Sequence, residues 1–483
     1  MLFNSLEYIA FLVVVFGLYW ATVRHARVAL GVLLAASLIF YASWNRFYLL
    51  LIIASSLVDF LVGRTLARTE GPGKRRALLL VSVVYNLGVL ATFKYYNFFL
   101  DAAGDVVGWL SPERQAAVVH TLGALHMDLL LPVGISFFTF QSMSYTIDIY
   151  RRELAPVSSF PRYLLYVSFF PQLVAGPIVR ARDLLPQLAE RPAMTDAMGG
   201  RGLFLIGVGL FKKIVIADYL ALNLVDRVFE APGMYSSLEL LVGIYGYAAQ
   251  IYCDFSGYSD IAIGSALLLG FKFPDNFNAP YRARDLQDFW RRWHISLSTW
   301  LRDYLYISLG GNRGGAFNTQ RNLMLTMLLG GLWHGAGWNF LIWGALHGGA
   351  LAVQRGWQRA RAKRGKGPLL SGPAGEAVAV LLTFHYVCFA WVFFRAETFE
   401  AARAVLDGLA QGTLAAANLT APVLAVLGVG AVSHLFPKRL FERVIGGFSA
   451  LPAPAQALAV VAVGLALREL ASVEMVPFIY FQF

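Results

Sequence analysis

The sequence predicts an all-α polytopic membrane protein, and three observations predict it. Its 483 residues are 58% hydrophobic and only 14% charged, with a mean hydropathy of +0.58; an average soluble domain is about 45–50% apolar and about 25% charged. The apolar residues recur as separate runs over the whole chain, and ~20 mostly apolar residues cross a bilayer as one helix. Between the runs sit short basic clusters, which carry much of the net charge of +11. Placed there, they follow the positive-inside rule and exclude the nucleic-acid partner that a pI near 9.6 would otherwise suggest. An ordinary soluble enzyme and a disordered chain are excluded by the same figures. The chain reads as one integral membrane domain over residues 1–483.

Taken in order, the expected spans are 6–22, 28–44, 47–63, 77–93, 129–146, 202–220, 237–253, 255–270, 322–343, 376–394, 419–436 and 455–472. Three further stretches, 95–110, 163–178 and 338–354, read as a span, a half-span or a re-entrant piece. The first twenty residues lack a basic leader and an A-x-A-like cleavage site, so the first run reads as a retained helix. Arg24 and Arg27 in the first loop, with Arg64, Arg68, Lys74, Arg75 and Arg76 in the third, place both loops in the cytoplasm and the N-terminus outside. Arg355–Lys366, with six Arg or Lys, and the group Lys438, Arg439 and Arg443 are expected on the cytoplasmic side as well. Cys253 and Cys388 lie far apart inside apolar runs and can build neither a disulfide framework nor a zinc site.

Residues 271–321 break the pattern, being too polar to span and too rich in Trp and Tyr for a free loop, and so read as interfacial or re-entrant. On a helical wheel DFWRRWHISLSTWLRDYLY sets Trp290, Trp293, Leu297, Trp300, Leu301, Tyr304 and Leu305 on one face. Arg291, Arg292, Ser296, Thr299, Arg302 and Asp303 take the other. His294 falls on the apolar face, where it is either a core histidine satisfied by one hydrogen bond or part of a site. His334 lies among Gly330, Gly331, Gly335 and Gly337 in the 322–355 core segment, where the helix can pack tightly or break. His347 would lie ~20 Å along and roughly 220° around from His334 on a continuous helix, outside its site. Asp254 and Asp260 either line a pathway or cap a helix starting near Ser259. The chain has no G-x-S-x-G, H-E-x-x-H, phosphate loop or H-x-x-x-x-D pattern.

The runs LLPVGISFFTFQSMSYTIDIYR, FPQLVAGPIVR, YCDFSGYSDIAIGSALLLGFKFPDNFNAPYRARDLQDFWRRWHISLSTWLRDYLYISLGGNR, LLGGLWHGAGWNFLIWGALHG and the terminal FIYFQF resemble the membrane-bound O-acyltransferase family, most of all its alginate-acetylating branch. The resemblance implies a ring of roughly 11–13 transmembrane helices, with re-entrant and interfacial pieces, around a thinned central channel. It implies His334 as the catalytic residue and His294 as the second functional histidine, with His385 matching a further recurring segment. Substrate or donor channel candidates are Trp333, Gly335, Trp293, Arg291, Arg292 and Asn339. Gly335 is expected to leave room for a thioester arm, and Arg291 and Arg292 to meet anionic phosphates or anchor lipid.

The activity so implied is O-acetyl transfer from cytoplasmic acetyl-CoA, a substrate rather than a bound cofactor, with no metal. The acceptor is a hydroxyl on an exopolysaccharide outside the membrane or on a periplasmic partner acetyltransferase, in a bacterial inner membrane. Transfer of D-alanyl groups to a cell-wall polymer and a non-catalytic transporter of an acylated carrier are the competing readings.

Overall fold

A computed structural model describes residues 1–174, 176–190, 193–367, 369–470 and 476–481. Of the sequence runs above, Ala175 in FPQLVAGPIVR, residues 471–472 of the 455–472 span and the last two residues of FIYFQF lie outside the described residues. Every regular element among the described residues is helical, with no strand.

The chain begins with α1 (Leu6–Thr22), α2 (Ala26–Ala42), α3 (Tyr48–Arg68) and α4 (Pro72–Leu90). A π-helical turn, Ala91–Tyr95, joins α4 to α5 (Tyr96–Leu110), so that Pro72–Leu110 forms one 39-residue apolar unit. α6 (Pro112–Gly123) follows, then α7 (Ile135–Tyr150), which is buried on nearly every side. Arg75 is not a loop residue free in solvent: its guanidinium donates to the carbonyls of Leu66 and Thr69 at the end of α3, and of Ile149 and Tyr150 at the end of α7. These are carbonyls that a helix end leaves without an internal partner.

Short α8 (Phe160–Ser168) and α9 (Phe170–Leu173) take the place of the 163–178 stretch, and α10 (Ala181–Ala189) follows. α11 (Asp196–Phe211) continues through π-helical turns into α12 (Asp226–Glu230). The two expected spans 237–253 and 255–270 are one 32-residue helix, α13 (Ser237–Leu268), opened by a capping box between Ser236 and Glu239. No helix starts near Ser259; Asp260 is held by Lys212 at 2.6 Å, and Asp254 by Lys213 at 2.6 Å. α13 packs against α11 through reciprocal glycines: a Cβ at Gly202 would stand 2.9 Å from the Gly264 carbonyl, and one at Gly257 would stand 2.7 Å from that of Gly209. Only glycine lets two backbones come this near.

The expected single amphipathic helix over 288–306 is instead three pieces, α14 (Leu286–Arg292), α15 (Ile295–Trp300) and a π-helical segment, Leu301–Tyr306. The 322–343 span is likewise broken: α16 (Gly315–His334) ends on the histidine, and α17 (Trp338–Lys363) returns antiparallel to it. The rest of the chain forms α18 (Gly372–Arg395), α19 (Phe399–Ala410), α20 (Ala421–Leu435), α21 (Lys438–Ser449) and α22 (Ala453–Leu470).

Among the described residues, by length and apolar content, four units can cross a membrane, α3, α4–α5, α18 and α22, and a fifth if the pair α20–α21, bent by 91°, is one span. This is fewer than the 11–13 expected. α7 and α11 have only 16 residues each, α1 and α2 only 17, and α13 carries Glu239, Asp254 and Asp260 along an otherwise apolar length.

Candidate active site

Two broken helices meet at the centre. α16 stops at His334 because Gly335 is extended (φ −155°, ψ 151°) and its last carbonyls are taken by another element. The Lys94 ammonium donates to the carbonyls of Trp333 (2.9 Å) and His334 (2.8 Å), and the Tyr95 hydroxyl to that of Leu332 (2.8 Å). The π-helical turn at Ala91–Tyr95 brings these adjacent residues to the same helix end, a use of such turns common at functional sites.

His294 occupies the other break, between α14 and α15, in the left-handed region (φ 41°, ψ 58°). A non-glycine residue there costs about 1–3 kcal/mol and persists only where its surroundings impose it. Here residues 276–278 run alongside: the Asn278 N–H donates to the Arg292 carbonyl, and the Ile295 N–H to that of Asn276, each at 2.9 Å. Ser296, expected on a polar face, is buried in consequence; its hydroxyl accepts from the Ile178 N–H.

Both imidazoles are buried and share their neighbours. Trp333 lies 6.1 Å from His294 and 5.1 Å from His334, centroid to centroid, and Tyr480 lies 6.4 and 5.5 Å from them. Trp343 and Phe394 close the far side of His334 at 5.1 and 5.3 Å. His334 Nδ1 and His294 Nε2 are buried with no hydrogen-bond partner among the described residues. Tyr480 reaches this point because the C-terminal segment is tied down by a buried ion cluster. Lys213 pairs with Asp218 and Asp254 at 2.6 Å each, and Asp254 accepts the Ile479 N–H at 2.8 Å.

The other expected site residues divide. Trp333 stands between the two histidines, whereas Trp293 lies behind His294 against Trp391, at 5.1 Å. Arg291 is exposed and lines a cavity of about 400 Å³, together with Arg302 and Arg355, whose wall includes Trp290. Arg292 points elsewhere and pairs with Asp288 at 2.9 Å. The Asn339 side-chain N–H donates to the Ala396 carbonyl at 2.8 Å, tying the α17 start to the end of α18. Gly335 does not open a channel: a Cβ there would overlap the Phe340 ring, which fills the space. His385 is on an outer face, bonded to the Tyr245 hydroxyl and the Leu381 carbonyl.

His347 is nearer than a continuous helix allows, because the chain reverses at 335–337. Its ring lies 4.8 Å from Trp343 and 5.1 Å from Trp290, so Trp290 and Trp343 form a two-ring path from the arginine-lined cavity to His334. Sequence reasoning does not single out Lys94, Asn276 or Tyr480, and it places His347 outside the site. Only Lys94 had a clear signal there, as a lone lysine between two apolar runs.

The chain matches the membrane-bound O-acyltransferase family, MBOAT, over residues 117–395. A probable alginate O-acetylase AlgI of Pseudomonas aeruginosa is 41% identical over 451 residues, 89% of this chain and 82% of that protein. A peptidoglycan O-acetyltransferase of Helicobacter pylori is 40% identical over 439 residues, 85% of this chain and 80% of its own length. A teichoic acid D-alanyltransferase of Bacillus subtilis is 29% identical over 290 residues, 56% of this chain and 71% of that one.

Proposed function

The chain belongs to the membrane-bound O-acyltransferase family and is an O-acyltransferase; from that premise we propose that it moves acetyl groups from cytoplasmic acetyl-CoA to a hydroxyl on an extracytoplasmic polysaccharide or on a periplasmic partner protein. The observation that carries this reading is the pair of enclosed histidines where two broken helices meet, one with its helix end held by Lys94. The names of the 40–41% identical relatives favour acetyl as the group and an envelope polymer as the destination; the D-alanyl relative is more distant at 29%. The enzyme works in a bacterial inner membrane as a ring of helices around a thinned centre, with the basic ends of α16 and α17 on the cytoplasmic side. Acetyl-CoA is a substrate, and the chemistry uses no bound cofactor.

In this mechanism the donor docks at the cavity beside Arg291, Arg302 and Arg355, whose guanidinium groups suit phosphate oxygens. Its acetyl end reaches His334 along Trp290 and Trp343. The neutral imidazole of His334 takes the acceptor hydroxyl's proton as the oxygen attacks the thioester carbonyl. The tetrahedral intermediate collapses by breaking the carbon–sulfur bond, and the thiolate takes the proton back. The products are an acetyl ester and free CoA. General acid–base help of this kind contributes typically ~10²–10⁴-fold. His334→Ala should therefore leave a folded, membrane-inserted protein whose transfer falls by that factor. Acetylation of envelope polymer at the wild-type rate by this variant would remove His334 from the chemistry.

A further inference from the structure

His294 has two ring nitrogens with opposite surroundings, and Asn276 decides which one carries the proton. The Asn276 side-chain oxygen stands 3.2 Å from the Ser296 N–H, 2.8 Å from the Ser296 hydroxyl and 3.1 Å from His294 Nδ1. A backbone N–H can only donate, so the atom facing Ser296 is the oxygen of the amide. Its Nδ2 then faces the Ser259 hydroxyl, to which it donates at 3.0 Å. The Ser296 hydroxyl has one proton, directed at this oxygen rather than at His294 Nδ1, which is 3.4 Å away. An unprotonated Nδ1 would press its lone pair against the oxygen of Asn276. Nδ1 is therefore the N–H, and the neutral ring turns a bare Nε2 toward the interior, where it has no hydrogen-bond partner among the described residues.

We propose that Asn276 is a positioning residue which locks His294 in the Nδ1–H tautomer, so that Nε2 offers a lone pair to a hydroxyl of the acceptor. The proposal rests on the transferase reading above and deepens it. The ring's single N–H is spent on Asn276, so His294 serves as a hydrogen-bond acceptor and not as a donor to the thioester oxygen. Many sugar acceptors carry a second free hydroxyl beside the reacting one. While His334 removes the proton of the reacting hydroxyl, His294 Nε2 accepts a hydrogen bond from its neighbour and no proton moves there. Two lone pairs, both beside Trp333 and Tyr480, thus suit a vicinal diol better than an isolated alcohol.

Two measurements test this. Solid-state NMR of the full-length protein with ¹⁵N-histidine, His294 being assigned by its loss in His294→Ala, should show Nδ1 protonated and Nε2 bare; a protonated Nε2 would overturn the proposal. Transfer is then measured in membranes that carry the full chain and are supplied with labelled acetyl-CoA. Asn276→Ala should lower the rate about 10–100-fold, by analogy with the loss when the partner that orients a metal-bound histidine is removed. Asn276→Asp, which keeps an oxygen against Nδ1, should recover most of that loss, whereas Asn276→Leu should not. In a His294→Ala background Asn276→Ala should cost less than about twofold more, since both changes remove one function. If the two losses multiply instead, Asn276 serves the fold alone and the proposal fails. His334→Ala in the same membranes keeps the outcomes apart, because full activity there refutes the base assignment while leaving the tautomer result standing.

Discussion

Lys94→Met tests whether the end of α16 is held in register by a charge delivered from another helix. The substitution keeps the length of the side chain and removes two charge-assisted hydrogen bonds, of 2.9 Å to the Trp333 carbonyl and 2.8 Å to that of His334. Hydrogen bonds to charged groups contribute about 1.5–3 kcal/mol each. Against their loss stands the desolvation of a buried ammonium, which methionine is spared and which amounts to several kcal/mol before pairing. The expected net loss of stability is therefore about 2 kcal/mol, smaller than the two bonds alone suggest. The effect on transfer should be larger, because misplacing a reacting group by ~1 Å costs about 10²-fold. Tyr95→Phe removes one neutral hydrogen bond, to Leu332, two residues before His334. It should cost about 1 kcal/mol and leave most of the transfer rate. The assay is acetyl incorporation from labelled acetyl-CoA beside thermal unfolding of the same purified variants. Should Lys94→Met lose stability and yet transfer at the wild-type rate, the lysine is a helix cap and nothing more, and the placement argument is refuted.

Two further outcomes follow from the same geometry. Gly335→Leu should unfold the α16–α17 turn rather than block a passage, since even a Cβ there overlaps the Phe340 ring; overpacking costs about 1–3 kcal/mol, and Phe340→Ala should restore the melting temperature of the double variant. A reporter fused within Arg355–Lys366 should read cytoplasmic and one at the N-terminus periplasmic; a periplasmic signal from the first would reverse the membrane orientation and move the arginine-lined cavity away from the donor.

Much of this architecture is legible in the sequence. Helix positions followed from apolar runs, and both central histidines stood out as ionisable residues among rings and glycines. What escaped has one physical source, contacts made across long sequence separations. Periodicity made 288–306 a single helix; the structure breaks it at His294 because Asn276 and Asn278, on a loop without periodic signal, take the backbone groups of Arg292 and Ile295. Asp254 and Asp260 read as lining a pathway or capping a helix that starts near Ser259, yet Lys213 and Lys212, at the start of the π-helical segment that follows α11, pair with them and let α13 run on. His347 was set aside on the geometry of a continuous helix, and the reversal at 335–337 returned it to within one ring of His334.

These misses bear on how the site works. Each histidine stands at a break, and each break is held by residues from elsewhere in the chain: Lys94 and Tyr95 for His334, Asn276 and Asn278 for His294. A continuous helix would commit the carbonyls of Leu332, Trp333 and His334 to its own next turn, and Lys94 and Tyr95 would have nothing to hold. Breaking the helix frees those carbonyls for a second element, which then fixes where the imidazole sits. The cost of a left-handed residue at 294 is met in the same way, by hydrogen bonds that a straight helix could not form. The chain thereby sets two rigid imidazoles against shared aromatic neighbours, Trp333 and Tyr480, with positions determined by hydrogen bonds from two other segments, Lys94–Tyr95 and 276–278. On the proposed mechanism, transfer is consequently sensitive to residues that never touch the substrate.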